Sequence, residues 1–84
     1  MSDIIHHPIS TEKAVKLMES ENKLVFIVDK KADKKMIKEE IEKMFKIKIL
    51  QINTLVDPNG RKKAYVRLSP DNPAIDVATQ LGLI

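Results

Sequence analysis

Residues 50–68, with the sequence LQINTLVDPNGRKKAYVRL, decide the fold of this chain. Two runs of alternating apolar and polar side chains flank the short segment DPNG, a pattern that predicts a β-hairpin. Alternation divides the second run between two faces of its strand: Ala64, Val66 and Leu68 on one, and Lys63, Tyr65 and Arg67 on the other. We therefore expect one face of the hairpin to be buried and the other to be cationic, with one aromatic side chain.

The residue types between the two runs specify a tight turn. Asp57 can accept hydrogen bonds from the backbone, and Pro58 fixes φ at the first turn position. Asn59-Gly60 supplies residues that tolerate a positive φ. Since a chain spans about 3.3 Å per residue, so short a segment cannot project far beyond the sheet.

Outward from the hairpin, the chain predicts two further strands and three helices. The continuous apolar run of residues 24–28 is rich in β-branched side chains and indicates a central strand buried on both faces. Ser10 is expected to cap the first helix, Asp33 the second, and Pro73 to occupy the first position of the third. Asn22 is expected to end the first helix in a left-handed conformation.

These elements predict an α+β fold, with a mainly antiparallel four-stranded sheet and helices on both faces. One irregularity is expected in the first hairpin strand, where the alternation changes phase between Ile49 and Leu50. A β-bulge and burial on both faces explain this change equally well. With 84 residues and no internal repeat, the chain is expected to form one domain, residues 1–84.

Composition narrows the class of protein. The chain lacks cysteine, so neither a disulfide framework nor a thiolate metal site is expected. No apolar run approaches the roughly 20 residues of a membrane span, and no secretion signal is recognisable, which favours the cytoplasm. The net charge of +3 comes from 15 basic and 12 acidic side chains. This excess is modest, so an argument for a polyanionic partner depends on how the charges are distributed.

Catalysis and metal binding find little support in the sequence. The adjacent pair His6-His7 would diverge on a strand or a helix, which makes a metal site improbable. No glycine-rich phosphate loop and no nucleophile-elbow serine occurs, because the chain has only two glycines and its serines lack that context. We expect no enzyme, no metal and no cofactor.

Nucleic-acid binding is better supported. Arg61, Lys62, Lys63 and Arg67 predict a basic patch without neutralising acids, because no acidic residue occurs between Gly60 and Ser69. Tyr65 is expected either to stack on a base or to pack beneath the terminal helix. A second basic run at residues 30–35 is explained equally by phosphate contacts and by a solvated helix start.

Four segments of the chain resemble a known family. They are HPISTEKA (residues 7–14), NKLVFIVD (22–29), INTLV (52–56) and KKAYVRLS (62–69). Their sequence and order are similar to those of the universal large-subunit ribosomal protein L23, in its archaeal form. The resemblance implies an antiparallel sheet between helices, related to the ferredoxin-like fold.

The resemblance also implies a structural role on the ribosome. Members of this family bind large-subunit ribosomal RNA at the rim of the polypeptide exit tunnel. They neighbour ribosomal protein L29 and help to dock nascent-chain factors, including the signal recognition particle. The family-like segments add further candidate RNA-binding residues to the basic patch: Lys13, His7, Asn53 and Thr54.

Two details of the resemblance concern particular residues. Glu12 matches a glutamate that docks a chaperone in bacterial relatives, so the resemblance implies a docking role for a nascent-chain complex or the signal recognition particle. A favourable interaction with the helix dipole is the simpler explanation of Glu12. The short DPNG turn departs from the long tip of bacterial relatives, so we expect this protein to remain at the rim of the tunnel.

Two other functions remain open from the residues alone. A protein–protein adaptor with a ferredoxin-like fold would use the basic run only for solubility, and its binding would depend little on salt. A small-molecule hydrolase or regulatory domain would require a cleft with convergent polar groups and perturbed pKa values.

Overall fold

Seven secondary-structure elements follow one another along residues 1–83, the part of the chain that the computed structural model describes. In chain order they are β1 (Ile5–Pro8), α1 (Glu12–Glu21), β2 (Lys23–Val28), α2 (Lys34–Phe45), β3 (Ile49–Val56), β4 (Lys62–Leu68) and α3 (Ala74–Gln80). The longest helix has 12 residues, and within this range none combines the length and apolar character needed to span a bilayer.

The four strands form one sheet in the order β1-β2-β4-β3, and every pairing is antiparallel. β3 and β4 form the predicted hairpin, and β4 also pairs with β2 along the whole of β2. This arrangement confirms the predicted α+β fold with a four-stranded antiparallel sheet and three helices. β2 and β4 are central, while β1 and β3 are the edges.

The apolar run of β2 is buried on both faces, as its composition predicts. Each of residues 24–28 is at most 5% exposed. Leu24, Phe26 and Val28 belong to the main core, together with buried residues of α2 and α3. Phe26 is fully buried, and its ring stacks on that of Phe45 with 6.5 Å between centroids. Because α2 and α3 share this core, they cover one face of the sheet except near the end of the edge strand β3, where Val56 is 62% exposed.

α1 lies beside β2 and reaches the opposite face of the sheet. Its Met18 belongs to the main core, whereas Ala14 lines a small cavity with Val25 and Tyr65 of the other face. Helices therefore contribute to both faces, but α1 alone contributes to the second and covers only part of it. The remainder of that face is open to solvent.

The phase change in β3 is a β-bulge. Ile49 pairs with Leu68 and Gln51 with Arg67, so that Leu50 is the extra residue. Ile49 is 2% exposed and Leu50 is 54% exposed, which excludes burial on both faces. The bulge turns one apolar side chain outward and restores the alternation that follows.

Two of the predicted helix starts are wrong by one residue. Thr11, not Ser10, is the N-cap of α1, and its hydroxyl accepts a hydrogen bond from the N–H of Ala14 at 3.2 Å. Pro73 occupies the cap position of α3, not the first helical position. The first error arises because the adjacent hydroxyl residues Ser10 and Thr11 both fit the capping pattern. The second arises because proline favours the start of a helix without fixing its first residue. The cap by Asp33 is confirmed, with 2.8 Å between its Oδ1 and the N–H of Met36.

Asn22 joins the end of α1 to β4 and α3. Its backbone is left-handed (φ 55°, ψ 41°), as the sequence predicts. Its Nδ2 donates to the carbonyl oxygens of Leu68, Ser69 and Asn72, each at 3.2 Å. Its Oδ1 accepts from the N–H of Ala74 at 2.6 Å, at the start of α3. One side chain thus holds the end of α1 against residues 68–74, the stretch that runs from the last residue of β4 to the first residue of α3.

We predict that Asn22→Gly destabilises the protein by roughly 2 kcal/mol or more, because the N–H of Ala74 and three carbonyls lose a partner. The variant keeps the left-handed conformation available, so only the amide is removed. The matched control is Lys46→Gly, at the exposed left-handed end of α2 (φ 54°). That change should leave the free energy of unfolding nearly unchanged. Glycine relieves the strain of the left-handed conformation, and this gain offsets the additional backbone entropy that glycine loses on folding. Urea unfolding measures both variants, and equal losses of stability would contradict the role of the Asn22 amide.

Candidate nucleic-acid interface

The face of the sheet opposite α2 and α3 carries the candidate interface, which we call the open face. Cross-strand registers place Tyr65 between Val25 and Asn53, and the neighbouring pairs lie on the same face. Its solvent-accessible side chains come from three strands: Lys23, Gln51, Asn53, Leu55, Lys63, Tyr65 and Arg67. The predicted division of β4 into an apolar and a cationic face is therefore confirmed.

On the open face, no acidic residue lies opposite Lys63 or Arg67 on the neighbouring strands. Lys63 lies opposite Ile27 and Leu55, and Arg67 lies opposite Lys23. Neither Lys63 nor Arg67 forms an ion pair within residues 1–83, whereas Lys23 contacts Glu21 at 3.1 Å. Like charges directly opposite each other destabilise a sheet. Glu21 reduces the repulsion between Lys23 and Arg67, because it pairs with Lys23 and lines the same surface depression as Arg67.

α1 adds a further cation to this face. Lys13 lines a cavity of about 90 Å³ together with Lys63 and Tyr65. Tyr65 is half-buried, and within the described part of the chain its hydroxyl makes no hydrogen bond. The interpretation that it packs beneath the terminal helix is wrong, since α3 packs on the opposite face. The hydroxyl of Tyr65 is available to a ligand at the edge of α1.

The predicted absence of acids near Arg61 is wrong. Arg61 Nε donates to Asp57 Oδ2 at 3.2 Å. Asp57 Oδ1 also accepts from the N–H groups of Asn59 and Arg61, each at 2.9 Å. The sequence argument considered only residues after Gly60. The three-residue loop, with Gly60 at φ 82°, brings the preceding carboxylate back onto Arg61.

The three consecutive basic residues do not form one patch. Lys62 follows the alternation of β4 to the face opposite Lys63, and its Nζ donates to the carbonyl oxygen of Ala32 at 2.6 Å. Thr54 likewise lies opposite Ala64, on the covered face, while Asn53 lies on the open face. Period-two alternation thus separates adjacent candidates that the sequence analysis grouped together.

The remaining two candidates lie at the border of the open face. His7 is exposed on β1 and in register with Ile27, with its Nδ1 3.1 Å from the carbonyl oxygen of Pro8. Glu12 is exposed in the first turn of α1. Within residues 1–83 its carboxylate makes no hydrogen bond or ion pair. Both side chains are accessible to a partner.

The sequence analysis missed Lys23 and Gln51. Both belong to the open face because they lie opposite Arg67 in the two strands that flank β4. Gln51 belongs to an alternating segment, whereas Lys23 begins a continuous apolar run. The register that aligns them with Arg67 depends on strand pairing, however, which the sequence of either segment does not specify.

Side chains of the types that bind metal ions do not cluster in the described residues. These residues contain no group of three or more histidine, cysteine or acidic side chains placed to hold a metal ion. Among the groups of residues 1–83, Asp57 alone has a clearly shifted pKa. The hydrogen bond from the backbone N–H of Arg61 lowers the pKa of the Asp57 carboxyl below its usual value, which reflects a structural role in the turn.

A lowered pKa in the folded state means that ionised Asp57 stabilises the fold at neutral pH, and that this contribution is lost as the pH falls through the folded pKa. We predict that Asp57→Asn lowers the urea midpoint at pH 7. The difference in urea midpoint between this variant and the natural sequence should become smaller below about pH 4. Asp71→Asn, at an exposed carboxylate, is the control and should show no such dependence. A difference that stays constant between pH 7 and pH 3 would contradict the prediction.

The family described as ribosomal protein L23 matches residues 3–62 of this chain. The matched range contains β1 to β3, the hairpin turn and the first residue of β4. It therefore includes the open-face residues of β2 and β3, whereas Lys63, Tyr65 and Arg67 of β4 follow it.

Proposed function

Because the chain belongs to the ribosomal protein L23 family, whose members are structural proteins of the large ribosomal subunit, we propose that its open face binds large-subunit ribosomal RNA. The observation that carries this proposal is the cationic surface around Arg67 and Lys63, which no carboxylate neutralises across the strands. Phosphate groups of RNA are the partners that such a surface fits.

The proposal gives each side chain of the open face a role. Lys63, Lys13 and Arg67 neutralise phosphates. Lys13 and Lys63 line one cavity beside Tyr65, and Arg67 is exposed two residues further along the same face of β4. Asn53 donates and accepts hydrogen bonds to sugar or phosphate oxygens. Tyr65 is half covered by α1, so its hydroxyl contributes a hydrogen bond more readily than its ring stacks.

Of the other candidates, His7 belongs to the border of this interface. Thr54 faces the covered side of the sheet and is not expected to contact RNA bound to the open face. Recognition by phosphates and shape, not by stacking on exposed bases, agrees with a surface that holds only one aromatic side chain.

We infer that the protein lies in the cytoplasm, at the rim of the polypeptide exit tunnel of the ribosome. The hairpin turn supports this position, because the hydrogen bonds of Asp57 with Gly60 and Arg61 close it after only three residues. A tip of this length stays close to the sheet. The same short tip supports the archaeal form of the family, since bacterial relatives resemble this chain but carry a longer one.

Protein partners are part of the proposal. Other ribosomal proteins follow from membership of the family, and we propose L29 as a neighbour. Val56 supports a protein contact, because it is 62% exposed on the edge strand β3 and faces away from the open face. Glu12 is proposed to dock the signal recognition particle or a nascent-chain complex, because its carboxylate is exposed and has no partner within the described residues.

We predict that Lys63→Ala/Arg67→Ala reduces the salt dependence of binding to a large-subunit RNA fragment. Loss of two phosphate contacts should lower the slope of log K against log salt by about 1.4–1.8, at roughly 0.7–0.9 per contact. Filter binding or fluorescence anisotropy over a series of salt concentrations measures the slope.

The control for this prediction is Lys38→Ala/Lys43→Ala, which removes the same charge from the exposed side of α2, beyond the covered face. Its slope should match that of the natural sequence. If both double variants change the slope equally, binding depends on net charge alone, and the open face is not the interface.

We predict that Glu12→Gln weakens docking of the signal recognition particle or nascent-chain complex on large subunits by about tenfold, as expected for loss of a charge-assisted hydrogen bond. Glu19→Gln, at the other end of α1, is the matched control and should leave docking unchanged. Co-sedimentation with reconstituted large subunits measures both. A Glu12→Gln variant that loses thermal stability but docks normally would assign Glu12 to the helix dipole alone.

A further inference from the structure

Two loops at one end of the sheet enclose a cleft of about 450 Å³. One wall is the turn of residues 29–32, between β2 and α2, and the other is the hairpin turn. Lys62 connects them, since it belongs to β4 and its Nζ donates to the carbonyl oxygen of Ala32 at 2.6 Å. We call this site the turn cleft. It lies outside the strand residues that define the open face.

The turn cleft unites two basic runs that are distant in sequence. Four cations line it, Lys30 and Lys31 from one wall and Arg61 and Lys62 from the other. Lys30 reaches across, because its Nζ is 3.5 Å from the position that a Cβ would occupy at Gly60. The second basic run therefore contributes to a defined site, together with residues of the hairpin.

The charge balance of this site is positive. Among the lining residues only Asp29 is acidic, and Asp57, just outside, pairs with Arg61. Four cations and two carboxylates leave an excess of +2. Within residues 1–83 neither Lys30 nor Lys31 forms an ion pair. Both ammonium groups are therefore free to bind an anion.

Both walls are held in place before any ligand binds. The N–H of Asp29 donates to the carbonyl oxygen of Ile4 at 2.9 Å, and that of Ala32 donates to Asp29 at 3.0 Å. The other wall is fixed by the hydrogen bonds of Asp57 described above. Cations presented by fixed loops lose less entropy on binding than those on mobile ones.

We propose that the turn cleft binds one phosphate group of the RNA backbone, as a second contact of the RNA that binds the open face. This inference rests on the proposed function. The two surfaces are continuous, because Ile27 lines the turn cleft and is the cross-strand neighbour of Lys63. A single RNA can therefore pass from the sheet to the cleft. The volume suits one nucleotide unit better than a duplex.

The test compares the salt dependence of binding to the same RNA fragment among intact variants. Lys30→Ala/Lys31→Ala should lower the slope by roughly 0.7–0.9, the value for one phosphate contact. Lys38→Ala/Lys43→Ala is again the control for charge. Suppose that Lys30→Ala/Lys31→Ala has the same slope as this control while Lys63→Ala/Arg67→Ala lowers the slope. The proposal that the turn cleft binds RNA is then contradicted, and the proposed function of the open face stands. If Lys30→Ala/Lys31→Ala lowers the slope and Lys63→Ala/Arg67→Ala does not, the proposal that the open face binds RNA is contradicted instead.

A second measurement does not require any cation to be removed. The chain lacks cysteine, so Asn59→Cys introduces a single attachment point for an iron chelate at the mouth of the turn cleft. Hydroxyl radicals should then cleave the bound RNA backbone at one localised position, whereas the same probe at Lys38→Cys on α2 should not. Absence of localised cleavage from Asn59→Cys would overturn the proposal.

A free anion is the competing occupant. Titration of the protein with inorganic phosphate, followed by the amide resonances of residues 30, 31 and 60, distinguishes it from RNA. Saturation by phosphate at low millimolar concentration, together with an unchanged RNA slope in the cleft variant, would assign the site to a small anion. Displacement of phosphate by the RNA fragment supports the proposal.

Discussion

The side-chain amide of Asn22 makes hydrogen bonds on which the relative positions of α1, β4 and α3 depend. Its Nδ2 and Oδ1 satisfy four backbone groups, and its backbone carbonyl accepts from the N–H of Leu68 at 3.0 Å. Because Asn22 is also the left-handed end of α1, the same residue ends the helix and determines where it lies. Unsatisfied groups at this junction would be costly, since it is partly buried.

The position of α1 decides what the sheet can bind. α2 and α3 cover one face with the main core, and α1 lies at the side of β2, where it reaches only part of the other face. Side chains of β4 therefore remain accessible in the middle of the sheet. A helix placed centrally on this face would have buried Lys63 and Arg67 without partners, at a large cost in desolvation. The open face is thus a consequence of the helix arrangement.

Structural and binding roles are divided among the basic residues of the hairpin. Arg61 stabilises the turn through Asp57, and Lys62 connects the hairpin to the loop before α2. Lys63 has neither role and faces solvent on the open side. Three adjacent cations therefore serve three purposes, because strand geometry sends neighbours to opposite faces and a tight turn brings a carboxylate to the first.

The sequence by itself determined the strands, the helices and the hairpin, because period-two and helical patterns, a buried apolar run and turn residues are local signals. It also placed Lys63, Tyr65 and Arg67 on one face of β4. It could not predict that Arg61 pairs with Asp57, because that contact depends on how the loop closes. Nor could it predict that Thr54 lies on the covered face or that Lys23 and Gln51 lie on the open face, since these positions depend on strand register. Only the tertiary structure brought residues 30–31 beside the hairpin turn, because contacts between segments about 30 residues apart arise from packing and leave no local pattern.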